Sequence, residues 1–188
     1  MTTTDAEMDT LRSDVRYLMD RTEILDCISR HARGCDRHDI DLITSAYHDD
    51  GVDEHGHAIN AGPKYGEWAN ATHAETSAVH THNITTHTCE IDGDTAHADS
   101  YVIVVLIGSD GKTAQFITGR YIDRLERRDG QWRIAVRRST VEGMFIADAG
   151  CCNRRSSPTR ATLSHPGSLG SVLRSPAVHR HARPPARW

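Results

Sequence analysis

The sequence predicts an α+β fold in which helices come first and an antiparallel sheet follows. Two observations predict this order. Before residue 80, apolar residues recur at helical spacing in several segments. Beyond it, three Asp-Gly pairs at 92–93, 110–111 and 129–130 separate runs rich in Val, Ile, Thr and Tyr. Such a division between helices and strands is typical of α+β domains.

Three helices are predicted in the first part of the chain. The first ends, we expect, at a left-handed C-cap formed by Gly34, so that Asp36 lies just beyond it. Asp39 can cap a short second helix, and Pro63 favours the first turn of a third. The apolar faces of the three helices are formed by Ile24, Leu25, Ile28 and Ala32, by Leu42, Ile43, Ala46 and Tyr47, and by Tyr65, Trp68 and Ala69.

The remaining segments predict a loop and a sheet. The first 20 residues have only a weak helical pattern, and residues 49–62, rich in Asp, Gly and His, predict a loop with a short strand at 52–55. Each Asp-Gly pair predicts a tight turn, because both residues tolerate positive φ. The turns divide the rest of the domain into four consecutive antiparallel strands. We expect these strands at about 82–91, 95–107, 113–127 and 131–145. We also expect that they form a strongly curved sheet with one face covered by the helices.

Charge and composition divide the chain near Gly150. The 188 residues include 26 acidic and 22 basic side chains, but seven basic residues, five of six prolines and no acidic residue follow position 150. Residues 1–150 therefore carry a net charge of −11 and form, we expect, one domain. Residues 151–188, rich in Ser, Pro and Arg, are typical of a disordered tail. The alternatives are a non-native extension or an arm for nucleic acid or an acidic partner; scarce aromatic residues argue against nucleic acid.

The composition predicts a soluble cytoplasmic protein without a membrane partner. No run approaches the roughly 18 apolar residues that a membrane span requires. The first residues are acidic and polar, where a secretory signal would be basic and then apolar. Five cysteines in an irregular pattern fit a reducing compartment. No Gly-rich phosphate loop, nucleophile elbow or zinc-protease motif occurs.

Several histidines and one aspartate are candidates for chemistry. Asp36 follows a helix end, where its carboxylate could cap or solvate a loop, or could act as a base if it lies at a pocket mouth. His80 and His82 share one face of a predicted strand, which leaves open a metal pair, acid–base catalysis by one of them, or simple exposure. His55 and His57 have the same ambiguity in a predicted loop.

Two adjacent arginines end an otherwise apolar strand. Arg137 and Arg138 must face opposite sides of the sheet, because successive side chains of a strand alternate. One of them is expected to face whatever the sheet encloses, while the other faces solvent. Sequence alone does not say which.

The order of these features resembles the SnoaL-like branch of the NTF2-like superfamily. The resemblance rests on three N-terminal helices, on Gly-Cys-Asp-Arg-His-Asp at 34–39, on a histidine that opens the first long strand, and on GRYIDRLERRDGQWRIAVRR at 119–138. It covers about residues 10–146 and implies a cone-shaped α+β fold whose curved sheet surrounds a deep apolar pocket. Within the family the chain is most similar to scytalone dehydratase, bile-acid 7α-dehydratase and hexachlorocyclohexane dehydrochlorinase.

This resemblance implies an Asp–His dyad for β-elimination, formed here by Asp36 and His82. The histidine would take a proton from a carbon next to the leaving group, and the aspartate would orient the ring and stabilise its cation. Arg137 or Arg138 would stabilise the departing hydroxide or halide. A tyrosine of scytalone dehydratase falls near His55, which could donate a proton to a leaving hydroxyl. The resemblance further implies a small apolar cyclic substrate, no cofactor, and a homodimer or homotrimer.

Two other functions stay open at this stage. A ligand-binding module without turnover would use the same pocket, as the small subunits of ring-hydroxylating oxygenases share this fold. An enzyme similar to ketosteroid isomerase would need an aspartate base farther along the chain and a tyrosine donor. The sequence supplies no convincing pair for that role.

The division of the chain predicts the behaviour of a shortened protein. A chain that ends at Gly150 should keep both its fold and its activity, because the following 38 residues contribute no recognisable motif. Thermal melting of the full-length and shortened proteins, followed by circular dichroism, tests this expectation. If shortening at Gly150 unfolds the protein, the proposed domain boundary is wrong.

Overall fold

The computed structural model describes residues 3–149 and confirms the α+β class. Gly150 and the predicted tail at 151–188 lie outside the described residues. The elements, in chain order, are α1 (Thr3–Arg37), α2 (Ile40–Thr44), β1 (Tyr47–His55), β2 (Ala58–Ala61), α3 (Gly62–Thr76), β3 (Ser77–Asp92), β4 (Thr95–Gly108), β5 (Thr113–Arg128) and β6 (Gln131–Asp148).

The six strands form one mixed sheet in the order β2-β1-β6-β5-β4-β3. The four long strands β3 to β6 pair antiparallel with their neighbours, which confirms the predicted meander. All three Asp-Gly turns have a glycine with positive φ, at Gly93, Gly111 and Gly130. The strand pairs therefore follow from local turn chemistry.

The segment predicted as a loop with a short strand forms two strands instead. β1 runs over nine residues and β2 over four. β1 pairs parallel with β6, placing Asp53 beside Arg137 and His55 beside Ser139. The prediction was wrong here because the Asp- and Gly-rich composition of this segment hides a strand that is stabilised by a partner more than 80 residues away.

The end of α1 differs from the prediction. Helix α1 is continuous over 35 residues and includes Asp36 in its last turn. The residue with positive φ is His38, at 54°. The N–H groups of His38 and Asp39 donate to the carbonyl oxygens of Cys35 and Gly34 at 3.3 and 3.0 Å. This pattern is a Schellman motif with a histidine in the left-handed position, so Gly34 is not the cap.

Gly34 has a packing role instead. A Cβ atom at this position would lie 2.6 Å from Ile43 Cγ1 and 2.9 Å from the Ile43 backbone nitrogen. Helix α2 therefore approaches α1 too closely for any side chain at position 34. Asp39 caps α2 as predicted, since its carboxylate accepts a hydrogen bond from the Leu42 N–H at 2.9 Å.

The core lies between the helices and one face of the sheet. Fully buried Ile24 and Ile28 of α1 and Ile43 of α2 pack with Leu125 and Ile134 of the sheet in one hydrophobic cluster. Residues 4–19 of α1 are exposed, so only its second half belongs to this core. Asp36 lies in the last turn of that half, which therefore holds the aspartate in place.

Two further features of the described residues concern the helices and the cysteines. No helix among residues 3–149 is long and apolar enough to cross a membrane. The three described cysteines, Cys27, Cys35 and Cys89, are buried free thiols.

The close approach of α2 to α1 predicts the effect of Gly34→Ala. Alanine favours a helix over glycine by about 1 kcal/mol. We nevertheless expect a net loss of about 1–3 kcal/mol in the free energy of unfolding, because the clash involves backbone that cannot easily move. Urea denaturation measures this change.

Gly66→Ala is the matched control, because Gly66 lies within α3 and also faces Ile43. A Cβ atom there would meet its nearest neighbours at 3.4 Å, an ordinary contact. We expect this variant to be as stable as the wild type or more stable by up to about 1 kcal/mol. Equal stabilisation by both substitutions would contradict the close packing at Gly34.

Candidate active site

The last turn of α1 and the strand β3 bring Asp36 and His82 into direct contact. His82 Nδ1 lies 2.6 Å from Asp36 Oδ1. The backbone N–H of His82 also donates to both carboxylate oxygens, at 2.9 and 3.1 Å. The side chain of Asp36 is 18% exposed, and that of His82 is 5% exposed. The fold thus brings together two residues that are 46 positions apart in sequence.

This geometry determines which nitrogen of His82 is available to a ligand. A carboxylate only accepts hydrogen bonds, so the neutral ring carries its proton on Nδ1. Nε2 is then left with a lone pair. The three contacts to one carboxylate restrain both the backbone and the ring, and the negative charge can stabilise an imidazolium. The pair can therefore act as an oriented general base.

Other histidines surround His82 without carboxylate partners. The ring centroid of His73 lies 6.5 Å from that of His82 and 4.5 Å from that of His80, and His38 lies 4.8 Å from His80. Burial, followed by the charge of His80, lowers the pKa of His73 to about 4. Burial and the charge of His38 also lower the pKa of His80. Both rings are therefore neutral at neutral pH, and His82 differs from them by its aspartate.

The metal interpretation of His80 and His82 lacks a ligand set. Their register partners, Leu106 and Val104, are apolar. Within residues 3–149, no group of three or more His, Cys, Asp or Glu side chains is arranged to hold a metal ion. His82 Nδ1 is instead bound to Asp36.

The two arginines lie on opposite faces, and the structure decides between them. Arg137 is fully buried, and its Nε and Nη2 donate to Asp123 at 2.8 and 2.7 Å. Its guanidinium lies 4.0 Å from the ring centroid of Tyr121. Burial acts to lower the pKa of Arg137, but the charge of Asp123 and its hydrogen bonds outweigh burial and raise the pKa well above its usual value.

Arg138 lies on the outer face and does not join the candidate site. Its side chain is 65% exposed, and its Nε donates to Glu54 at 2.6 Å. The sequence left open which of the two arginines faces inward. Only Arg137 is on the face that the helices cover, because alternation along β6 places its neighbour outside.

His55 lies on the inner side, whereas His57 does not. The ring of His55 packs against Tyr65 and Trp68 of α3, with centroid distances of 5.4 and 5.7 Å. His57 is exposed in the turn between β1 and β2. The sequence did not distinguish these two histidines. The structure does, because β1 ends at His55 and leaves His57 in the exposed turn.

A cluster of buried polar side chains was not singled out from the sequence. Asp53 is fully buried, and Tyr47 donates its hydroxyl hydrogen to Asp53 Oδ2 at 2.5 Å. His31 is also fully buried and stacks on Tyr65 at 5.1 Å. Burial, followed by the charge of Arg137, lowers the pKa of His31 well below its usual value. The sequence contains one signal for a buried polar residue on this side of the sheet. Alternation along β5 places Asp123, the partner of Arg137, on the same face as Tyr121 and Leu125.

The size of surface hollows does not identify the site. A groove of about 630 Å³ lies between the exposed half of α1 and Arg127. Another of about 690 Å³ lies at the ends of β5 and β6. Neither is lined by Asp36 or His82, so the candidate site is identified by its hydrogen bonding and not by its volume.

Solved structures share this fold. A Mycobacterium tuberculosis protein of unknown function is 27% identical, with a TM-score of 0.60, and the match covers 68% of this chain and 74% of that one. A hexachlorocyclohexane dehydrochlorinase from Novosphingobium barchaimii is 21% identical, with a TM-score of 0.66 and coverage of 71% and 94%. A protein assigned as a scytalone dehydratase from Novosphingobium aromaticivorans is 14% identical, with a TM-score of 0.62 and coverage of 69% and 88%.

At these identities the two enzymes show a common fold and not a common activity. No curated protein matches the sequence. The sequence model of the SnoaL-like domain, however, matches residues 16–138, which include both members of the dyad and both arginines. The chain therefore belongs to the SnoaL-like domain family.

Proposed function

We propose that this protein is a cofactor-independent lyase that catalyses β-elimination from a small, apolar cyclic substrate. The observation that carries the proposal is the contact between His82 Nδ1 and Asp36, supported by the two hydrogen bonds from the His82 backbone. An imidazole held in this way presents Nε2 as a base of fixed orientation.

The proposed reaction moves one proton and one electron pair. His82 Nε2 accepts the proton from the carbon adjacent to the carbon that bears the leaving group. The electron pair of the broken C–H bond forms the C=C bond, and the leaving group departs with the pair of its own bond. Asp36 stabilises the imidazolium while it exists.

The residues beside the dyad support an apolar substrate. Val104 is the register partner of His82, Ile117 is the partner of Val104, and Met144 is the partner of Ile117. Register partners in antiparallel strands share a face, so these side chains form an apolar row next to the base. Met144 is 61% exposed at the end of this row, which leaves access for a ligand.

Arg137 is the proposed stabiliser of the leaving group. Two of its nitrogens are bound to Asp123, while Nη1 has no hydrogen-bond partner among the described residues. A buried guanidinium with one free donor can stabilise developing negative charge strongly, because little water screens it.

Self-association stays a prediction. Tyr101, Ile103 and Ile122 of the sheet are 38–49% exposed. An apolar surface of this kind is compatible with the expected homodimer or homotrimer.

The proposal predicts a loss of elimination on removal of either dyad member. His82→Ala and Asp36→Asn should lower kcat/KM by about 10²–10⁴ on any ring compound that the wild type converts, because general base catalysis is lost. The measurement is alkene formation from a panel of hydroxylated and halogenated rings. His97→Ala, which alters an exposed histidine of β4, is the control and should match the wild type.

The outcomes of this panel separate the candidate functions. Equal activity of the wild type and His82→Ala would contradict the lyase proposal. Saturable binding of a ring compound without any turnover would instead support a non-catalytic ligand-binding module. Double-bond migration without loss of a leaving group would support an isomerase.

The proposal also predicts that chelators have no effect on activity. Dialysis against EDTA should leave elimination unchanged, because the base is an imidazole and the leaving group is stabilised by a guanidinium. Elemental analysis of protein purified without a histidine tag is the companion measurement. Stoichiometric zinc or iron, with activity lost on its removal, would favour a metal site at His80 and His82.

A further inference from the structure

A buried carboxylate oxygen on the inner face has no hydrogen-bond partner. Asp53 is 0% exposed, and its Oδ2 accepts the hydroxyl hydrogen of Tyr47. Its Oδ1 has no partner among the described residues. Leaving a buried polar group unsatisfied is unfavourable, and more so for a charged group, so such an atom calls for an explanation.

The group that faces this oxygen is His55. Its Nδ1 lies 3.7 Å from Asp53 Oδ1 and is itself buried without a hydrogen-bond partner. An unpaired acceptor and a possible donor thus face each other just beyond hydrogen-bond distance. A proton on Nδ1 and a small shift of the ring satisfy both atoms at once.

The charges of the inner face favour the same assignment. Asp53, Arg137 and Asp123 are register neighbours on β1, β6 and β5. The single guanidinium makes both of its ion-pair hydrogen bonds to Asp123. This row therefore contains two carboxylates and one guanidinium, and a proton on His55 Nδ1 places a donor beside the carboxylate that the guanidinium does not bind.

The outer part of the His55 ring is available to a ligand. The side chain is 33% exposed although Nδ1 is buried, so the accessible ring atoms lie on the far side, which carries Nε2. Tyr65 and Trp68 hold the ring from α3. The buried ring of His31 packs against the same Tyr65, with a centroid distance of 5.1 Å.

We infer that Asp53 positions His55 as the proton donor to the leaving group, and that the leaving group is therefore a hydroxyl. The inference rests on the proposed lyase function and specifies its substrate class as β-hydroxy ring compounds. Hydroxide departs poorly without a proton, whereas halide departs readily as an anion. A second histidine–carboxylate pair thus matches dehydration.

The step balances in atoms and electrons. The C–H bond breaks and its proton binds to His82 Nε2, while its electron pair forms the C=C bond. The C–O bond breaks, and the departing oxygen takes the proton from His55 Nε2 and leaves as water. His55 keeps its Nδ1 proton toward Asp53, and exchange with solvent restores the two histidines to their starting states.

Two probes with the same ring test the role of His55. 3-Hydroxycyclohexanone requires protonation of its leaving group, whereas 3-(4-nitrophenoxy)cyclohexanone releases a stable anion. His55→Gln should lower kcat for the hydroxy probe by about 10²–10³ and leave kcat for the nitrophenoxy probe within about threefold of the wild type. Asp53→Asn should also lower kcat for the hydroxy probe more than kcat for the nitrophenoxy probe, but by a smaller factor than His55→Gln. His57→Gln, in the exposed turn, is the matched control and should change neither rate.

The outcomes separate this inference from the proposed function. If His55→Gln slows both probes equally, or the wild type converts only the nitrophenoxy probe, the inference is wrong while the lyase proposal stands. If His82→Ala converts both probes as fast as the wild type, or the wild type converts neither, the lyase proposal fails.

The position of the His55 proton can be measured in the wild-type protein, so this test does not depend on the folding of a variant. ¹⁵N NMR of the histidine rings across a pH titration should show that His55 keeps a proton on Nδ1, toward Asp53, in both its cationic and its neutral form. A neutral ring with its proton on Nε2 and none on Nδ1 would overturn the positioning role of Asp53 whatever the variants show.

Discussion

Three hydrogen bonds from His82 to one carboxylate connect the two layers of this domain. Asp36 ends the buried half of α1, and His82 lies on β3. The contact therefore fixes the angle at which the helix meets the sheet as well as the orientation of the imidazole. Because the carboxylate is mostly buried, it must keep these partners, and structure and proposed chemistry depend on the same bonds.

A second set of buried charges lies on the inner face, on β1, β6 and β5. Arg137 and Asp123 form a fully buried bidentate pair. Such a pair contributes little net stability, but removal of one partner leaves an uncompensated charge that costs about 3–5 kcal/mol. The row Asp53, Arg137 and Asp123 is therefore a costly arrangement for a structural core. The inner face thus has a polar row of charged residues and an apolar row next to His82. This combination suits a ligand that is apolar around the carbon that loses its proton and polar at its leaving group.

Local chemistry explains how much of the fold could be predicted. The Asp-Gly turns specify the meander because positive φ is a local property, and Asp39 and Pro63 specify helix starts for similar reasons. The end of α1 could not be read in this way. Gly34 looks like a cap, but the left-handed residue is His38, and the glycine is required because Ile43 approaches it. Likewise, β1 exists as a long strand because β6 offers it a parallel partner.

The sequence by itself determined the α+β class, the four-strand meander, and Asp36, His82 and His55 as candidates for chemistry. Only the tertiary structure decided that Asp36 and His82 touch, that Arg137 faces inward and Arg138 outward, and that Asp53 lies beside His55. The reason is physical. Turn and cap preferences act over a few residues, whereas burial and hydrogen bonding of charged groups depend on strands and helices that meet only when the sheet is assembled.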